Sequence, residues 1–404
     1  MRITKDDSTS HMIKLSTLVA MVCTSVIFAV SLHYVRAQSP EVDASLSSLQ
    51  VPDGFKLERF ADVSQHGMPR MMIFDKQGNL YVTLVNTGRV LQLDTAGNSI
   101  VIAQGLNAPN GIDLLQEDLL VAEQTGIVRL HRHNDGWSAP VPFIRNLPAG
   151  GHGLKSVKVS PTGDIFVNVG SSCNVCVEDN PMRATLLRFT QDGRPAGALL
   201  TVGRHTQSAI WAHGLRNSQG LAWHPQTGEM FATNEGADNR SAVKNGQIND
   251  DTPPEHLNRI EAGKHYGWPY CWGNLAQPDK LFQDPNFTSD SNTCAVSQAP
   301  ALMFPAHSTP IGISFLHNSK FPADYQPDAI VALHGSWNRK QPSGYALLRV
   351  QFRNQQPVAA FPFVTGWLQG TQAWGRPVDV IVGPDGWLYV SDDKTGWIYR
   401  IRRR

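Results

Sequence analysis

The stretch GHGLKSVKVSPTGDIFVNVG, residues 151–170, decides our prediction of the fold. It holds two β-rich runs, VKV at 157–159 and IFV at 165–167, on either side of an SPTG turn. Short runs of this kind around a Pro/Gly turn are typical of a β-hairpin. His152 lies between two glycines in the loop that leads into the hairpin, where a scaffold can present a side chain without burying it.

Similar units of strand, turn and strand recur along the chain. Copies that lie about 40–45 residues apart have the spacing of propeller blades. We find no long amphipathic helix pattern. A two-sheet sandwich is the alternative, but it does not account for six similar hairpins. The sequence therefore predicts an all-β, six-bladed β-propeller, in which the loops entering the inner strands converge on a central channel. The copies begin near residues 74, 113, 151, 221, 321 and 382.

The composition limits the classes of function. The chain has 35 basic and 34 acidic residues, so it lacks the basic excess of a nucleic-acid-binding protein. It also has 34 glycines and 26 prolines, as a chain rich in turns requires. We therefore expect a small-molecule ligand and no nucleic-acid partner.

The N-terminal segment is typical of an exported protein. Lys14 precedes eighteen uncharged residues, 15–32, and a small-residue cleavage pattern ends at Ala37. This order indicates a secretory signal, although the apolar run is also long enough to be an uncleaved membrane anchor. The predicted organisation is a signal at 1–37, a Ser-rich linker at 38–50 and a propeller domain at 51–404, in a periplasmic or secreted protein.

Four cysteines lie outside the signal: Cys173, Cys176, Cys271 and Cys294. An even number in an oxidising compartment favours disulfides, and local pairing predicts Cys173–Cys176 and Cys271–Cys294. The alternative for Cys173-Asn174-Val175-Cys176 is a metal or redox motif, but no second CxxC or nearby His pair supports a metal. Val177 follows Cys176 where a haem-attachment motif has histidine.

Several polar loops carry side chains with useful chemistry. Histidine takes up a proton near neutral pH, arginine and amides suit an oxyanion or a carboxylate, and clustered oxygen atoms suit Ca²⁺. Each also has a structural alternative: a hydrogen-bonded structural histidine, a polar turn, a solvated acidic loop or a surface arginine. Besides His152, the candidates are GLRNSQG at 214–220, NEGAD at 234–238 with the acidic residues that follow it, HGSWNR at 334–339 and GRPVD at 375–379.

These segments, in this order, resemble the PQQ-dependent glucose/sorbosone dehydrogenase family of six-bladed quinoproteins. The resemblance extends from about Met68 to the C-terminus and also includes FPADY at 321–325 and the hairpin at 375–390. NDDTPPEHLN at 249–258, GWPYC at 267–271 and HGSWNR are closer to the sorbosone-dehydrogenase-like branch than to the soluble glucose dehydrogenases.

The resemblance implies a role for each candidate. It implies that His152 is the general base and that Arg216, with Asn217 and Gln219, lies around the reactive quinone carbonyl and the substrate. The carbonyls of Gly236 and Ala237 would hold the active-site Ca²⁺, and Arg339 and Arg376 would pair with the PQQ carboxylates. This chain differs from the glucose enzymes at three of these positions. The glucose enzymes have proline at the position of Ala237, a lysine-type contact at that of Arg339 and a second arginine at that of Val378.

The predicted function is an exported PQQ- and Ca²⁺-dependent dehydrogenase that oxidises a sugar or a sugar aldehyde. Since the sequence has no haem motif, electrons would leave to a separate acceptor, a quinone or a cytochrome. A propeller that binds ligands or partners without turnover is the alternative, and a Ca²⁺-dependent lactonase is a third possibility. The fold alone does not separate these functions.

Overall fold

The computed structural model describes residues 46–199, 208–288 and 292–404. The predicted signal at 1–37 and most of the predicted linker at 38–50 lie outside the described residues. The last residues of that linker pack on the domain, since Leu46 and Leu49 contact a buried apolar cluster and Gln50 pairs with Thr365. No helix in the described ranges has the length and apolar character needed to cross a membrane.

Six four-stranded antiparallel sheets form a six-bladed propeller, as predicted from the sequence. The first three blades are listed here from the inner to the outer strand. Blade 1 holds Pro69–Phe74, Leu80–Leu84, Arg89–Leu93 and Ser99–Ala103; blade 2 holds Ile112–Leu115, Asp118–Glu123, Gly126–Leu130 and Val141–Ile144; blade 3 holds Val157–Val159, Ile165–Val169, Thr185–Phe189 and Ile210–His213.

The other three blades include the sheet that closes the ring. Blade 4 holds Leu221–Trp223, Met230–Asn234, Glu255–Ile260 and Leu302–Phe304; blade 5 holds Pro310–Phe315, Ala329–Leu333, Ala346–Arg353 and Gln356–Val364; blade 6 holds Pro377–Val382, Leu388–Asp392, Trp397–Arg403 and, as its outer strand, Phe55–Asp62. The outer strand comes from the beginning of the domain and pairs with the last strand of the chain, from Phe55 opposite Arg403 to Asp62 opposite Trp397.

Short elements lie outside the blades. They are the two-residue strands Arg132–His133 with Gly136–Trp137, the strands Cys271–Gly273 with Leu281–Gln283, the strands Leu368–Gln369 with Gln372–Ala373, the helix Thr293–Val296 and the 3₁₀ turn Ala323–Tyr325. Both predicted disulfides, Cys173–Cys176 and Cys271–Cys294, are present.

Apolar packing between neighbouring blades holds the ring together. The second strand of blade 1, Leu80–Leu84, is buried along its whole length, and its counterparts in blades 3, 4, 5 and 6 are too. Each contact between adjacent blades has its own cluster of buried apolar side chains. Since these strands are covered on both faces, they are mostly apolar and show no regular alternation with polar residues, although they include buried polar side chains such as Thr83, Thr233 and Ser391.

Side-chain hydroxyls also connect one blade to the next near the centre. Thr83 donates to the carbonyl of Asn110, Thr233 to that of Ile311, and Ser391 to that of Arg70. In each case a hydroxyl on a second strand reaches the backbone at the start of the next blade. The loops that enter the inner strands are therefore fixed relative to one another across the ring.

Candidate active site

The candidate active site is a cavity of about 290 Å³ where the loops that enter the inner strands meet. A larger cavity of about 530 Å³ lies elsewhere, around Asp75 and Trp137, but none of the predicted site residues lines it. The site cavity is lined by Arg70, His152, Leu154, Arg216, Gln219, Glu235, Gly236, Asp238, Glu255, His307, Thr309, Ile311, His334, Trp337, Asn338 and Arg376.

The surroundings of His152 determine which of its ring nitrogens carries the proton. The hydroxyl of Ser171 donates to the carbonyl of Cys173 over 2.7 Å. Its oxygen lies 2.9 Å from His152 Nδ1, so it accepts a hydrogen bond from that nitrogen. The neutral ring is therefore protonated at Nδ1, and Nε2 keeps a lone pair. Gly170 permits this arrangement, because a Cβ there would lie 2.4 Å from the His152 Cβ.

We expect His152 to stay neutral at mildly acidic pH. Burial, together with the positive charge of Arg216, lowers its pKa from 6.5 to about 4. Because the lowered pKa favours the neutral form, Nε2 should keep its lone pair from neutral pH down to about pH 5. A ¹⁵N NMR titration of the full chain should place the midpoint near 4, and a midpoint near 6.5 would contradict this geometry.

Arg216 is buried on the wall of the cavity and held in a fixed orientation. Its Nη2 donates to Asp238 over 2.8 Å and to the side-chain oxygen of Asn174 over 2.9 Å, and its Nε donates to the Asn174 carbonyl. Asp238 is shared, since it also accepts from Asn338. The guanidinium is thus a cation whose direction is set before any ligand binds.

The predicted amides Asn217 and Gln219 lie beside a half-buried carboxylate on the cavity wall, that of Glu235. Asn217 Nδ2 and Gln219 Nε2 donate to the two oxygens of Glu235 over 3.0 and 3.2 Å. Gln219 accepts in turn from Arg70 over 3.0 Å. The Asn217 side-chain oxygen is buried and has no hydrogen-bond partner within the described ranges.

The loop at Gly236 and Ala237 concentrates oxygen atoms. No hydrogen bond within the described residues reaches the carbonyl oxygen of either residue. Gly236 N–H donates to Glu255, and Glu235 precedes it in the chain. Burial, reinforced by the negative charge of Glu235, raises the pKa of Glu255 to about 8, and burial raises that of Glu235 as well. Two carboxyls that lack a directly bonded arginine and two unpaired carbonyls suit a cation with oxygen ligands.

Arginines from other blades face this acidic side. Arg376 lines the cavity and donates to the carbonyls of His334 and Gly335. Arg70 donates to Asp393 over 2.9 Å, and His334 Nε2 lies within 3.0 Å of both oxygens of that carboxylate. Burial alone would raise the pKa of Asp393, but the bonds with His334 and Arg70 lower it to about 2. Trp337 is 74% exposed and lines the cavity.

The structure thus brings most of the predicted residues together. His152, Arg216, Gln219, Gly236 and Arg376 line the cavity, and Asn217 and Ala237 lie directly behind Glu235 and Gly236. Arg339 does not line it: its guanidinium donates to Asp251 and to the carbonyls of Ala306 and Gln341. Its role toward a cofactor stays a prediction.

Two residues that sequence analysis did not select, Arg70 and Asp393, complete the site. Arg70 follows Pro69 in the inner strand of blade 1, at the position that Val378 holds after Pro377 in blade 6. An arginine at the start of an inner strand is the signal that could have identified it. Val378, at the position of a second arginine in the glucose enzymes, is fully buried in an apolar cluster. Arg70 supplies a third arginine in the cavity, after Arg216 and Arg376, from another blade.

The chain belongs to the TrAA12-like family, whose model matches residues 49–404. It is 28% identical to an uncharacterised protein of Borreliella burgdorferi over an alignment of 377 residues, which covers 88% of this chain and 91% of that protein. It is 27% identical to a pyrroloquinoline quinone-dependent pyranose dehydrogenase of Coprinopsis cinerea over an alignment of 394 residues, which covers 83% of this chain and 52% of that one. The chain thus spans about half the length of the fungal enzyme.

Solved structures share the fold. The holo form of the PQQ domain of the Coprinopsis cinerea pyranose dehydrogenase has a TM-score of 0.73 at 23% identity and covers 88% of this chain and 97% of its own. A calcium structure of the Trichoderma reesei family AA12 enzyme has the same TM-score and coverage at 20% identity. The resemblance to PQQ-dependent sugar dehydrogenases is confirmed, and the closer relation to the sorbosone branch stays a prediction.

Proposed function

We propose that this protein is a quinoprotein dehydrogenase that binds PQQ and Ca²⁺ in the site cavity and oxidises a sugar or a sugar aldehyde. The observation that carries the proposal is the combination in one cavity of a histidine with a free Nε2, three arginines and an oxygen-rich cation site. The fungal relative, named as a pyranose dehydrogenase dependent on PQQ, supports it.

The residues present fit this pair of ligands. The unpaired carbonyls of Gly236 and Ala237 would hold Ca²⁺, and the carboxyls of Glu235 and Glu255 would balance its charge. Arg376 and Arg70 would face the carboxylates of PQQ, because guanidinium groups pair well with carboxylates. When bound, PQQ supplies a quinone that accepts two electrons as a hydride from the substrate carbon.

The protein residues would hold and move the proton. Nε2 of His152 would take the proton from the substrate hydroxyl, or from that of a hydrated aldehyde, while Nδ1 stays bonded to Ser171. Arg216 would stabilise the negative charge that develops beside it, and Asp238 keeps it aimed. The exposed ring of Trp337 at the mouth would offer an apolar face to a sugar.

We also propose that the protein is exported and passes electrons to a separate quinone or cytochrome. The signal pattern at 1–37 supports export, and two disulfides in the described part of the chain suit an oxidising compartment.

The direct assay of this proposal is dye reduction. The full chain, loaded with PQQ and Ca²⁺, should reduce an artificial electron acceptor with at least one member of a panel of aldoses and sugar aldehydes. The same protein without PQQ is the control and should show only background reduction. The proposal fails if no sugar in the panel gives reduction above that background.

A further inference from the structure

The loop closed by the Cys173–Cys176 disulfide lies between the two groups to which we assign the chemistry. It follows the strand Ile165–Val169 of blade 3 and belongs to no strand itself. Its side chains are half-buried beside the cavity, and the loop contributes no side chain to the cavity lining. The loop instead contacts Arg216 and Asp238 from behind the lining.

Asn174, inside the disulfide loop, uses all its side-chain polar atoms on the site. Its side-chain oxygen accepts from Arg216 Nη2 and from the backbone N–H of Asp238, over 2.9 and 2.8 Å. Its Nδ2 donates to the carbonyl of Asp238 over 2.9 Å. One amide therefore holds both partners of the Arg216–Asp238 ion pair.

The backbone of the same loop adds further contacts. The carbonyl of Asn174 accepts from Arg216 Nε over 3.2 Å and from Trp268 Nε1 over 3.0 Å. The carbonyl of Cys173 accepts the Ser171 hydroxyl, which is the bond that leaves the Ser171 oxygen to accept from His152 Nδ1. The orientation of Arg216 thus depends on the Asn174 carbonyl. The tautomer of His152 depends on the Cys173 carbonyl together with the Ser171 carbonyl, which lies 3.2 Å from His152 Nδ1.

The disulfide is the element that can fix those carbonyls. Outside regular structure, a short segment keeps one backbone conformation only if it is constrained, because its conformational entropy otherwise favours many. The bridge between Cys173 and Cys176 closes a loop with a sequence separation of 3. The neighbouring Ser172 is also held in place, because its backbone N–H and its hydroxyl both donate hydrogen bonds to the carboxylate of Glu178.

We propose that the Cys173–Cys176 loop is the positioning element of the active site, and that Asn174 is the positioning residue that aims Arg216 and, through the adjoining carbonyl, fixes His152 with a free Nε2. The expected effect on turnover rests on the proposed function. The positions of Arg216 and His152, in contrast, can be measured in the protein without cofactor.

The first test is NMR on the full chain without PQQ. In ¹⁵N-histidine-labelled protein, the His152 signal, identified by its loss in His152→Asn, should report a proton on Nδ1 and none on Nε2. Asn174→Ala should move the His152 titration midpoint upward, because a displaced Arg216 repels the imidazolium less. The Cys173→Ala/Cys176→Ala pair should in addition give a mixture of tautomers.

Matched variants separate positioning from general stability. Val175→Ala changes the same loop without removing a polar side-chain contact, and Cys271→Ala/Cys294→Ala removes the other disulfide; both should keep the parent His152 signal. Asn174→Ala is expected to lower turnover about tenfold or more. Asn174→Asp keeps an acceptor oxygen for Arg216 but cannot donate to the Asp238 carbonyl, so it should restore only part of that loss.

The possible outcomes decide the proposal. It is overturned if Asn174→Ala and the Cys173/Cys176 pair keep the parent His152 signal, even if their melting temperatures fall. It is also overturned if Cys271→Ala/Cys294→Ala alters the His152 signal to the same extent. If the signal changes as expected but the parent protein oxidises no sugar, the positioning role stands and the proposed function fails.

Discussion

His152→Ala is expected to lower kcat by roughly 10²–10⁴-fold, because it removes the group that accepts the substrate proton. Binding of PQQ should change little, since no cofactor contact is assigned to the imidazole. Steady-state dye reduction gives kcat, and titration of PQQ gives the affinity.

Two matched variants define what a loss at His152 means. His131→Ala removes an exposed histidine that bonds to Asp118 in blade 2 and does not line the cavity, and it should keep the parent kcat. Ser171→Ala keeps the imidazole but removes the oxygen bonded to Nδ1, so a smaller loss is expected. If His152→Ala retains activity within a few-fold of the parent, another group is the base.

Arg216→Leu is expected to lower kcat by roughly 10²–10³-fold, because it removes a preorganised cation from the site. It should also destabilise the fold by about 3–5 kcal/mol, since it leaves Asp238 with an uncompensated, largely buried charge. The His152 midpoint should rise toward 6.5 in this variant, because the charge that helps to lower its pKa is gone. Kinetics, urea unfolding and the ¹⁵N titration measure these three effects separately.

The control for Arg216 separates catalysis from stability. In the double variant Arg216→Leu/Asp238→Asn, the unpaired charge is removed, so much of the stability should return while kcat stays low. Arg216→Lys keeps the charge but cannot reproduce the contacts with both Asn174 and Asp238, and we expect an intermediate kcat. A double variant that regains full turnover would contradict a catalytic role for Arg216.

The repeated hairpins made the fold and part of the site predictable. Turn and strand signals are local, so six copies of one unit could be counted from the sequence, and the ring followed from their number. His152, Gln219 and Arg376 were then correctly expected to meet, because each lies just before an inner strand. Because a ring brings all such loops to one channel, residues far apart in the sequence could be expected to meet there.

Contacts between distant blades were not predictable in the same way. Arg70 and Asp393 are separated by 323 positions and meet only because the last blade closes on the first. Arg339 lies in a loop without periodic pattern, and its partner Asp251 comes from another irregular segment. The acidic residues after Asn234 were visible as a cluster, but only the structure shows that Glu235 and Glu255 line the cavity and that Asp251 is exposed to solvent.

The central claim is that the cavity is a Ca²⁺-dependent PQQ site, and isothermal titration tests it most directly. PQQ is titrated into the full chain in Ca²⁺ buffer, and the titration is repeated after chelation. Arg376→Ala serves as the variant and should weaken binding by roughly 1.5–3 kcal/mol, the value of a hydrogen bond to a charged group. The account predicts saturable binding with Ca²⁺ and none after chelation; an absence of binding heat in Ca²⁺ buffer, or equal binding with and without the metal, would contradict it.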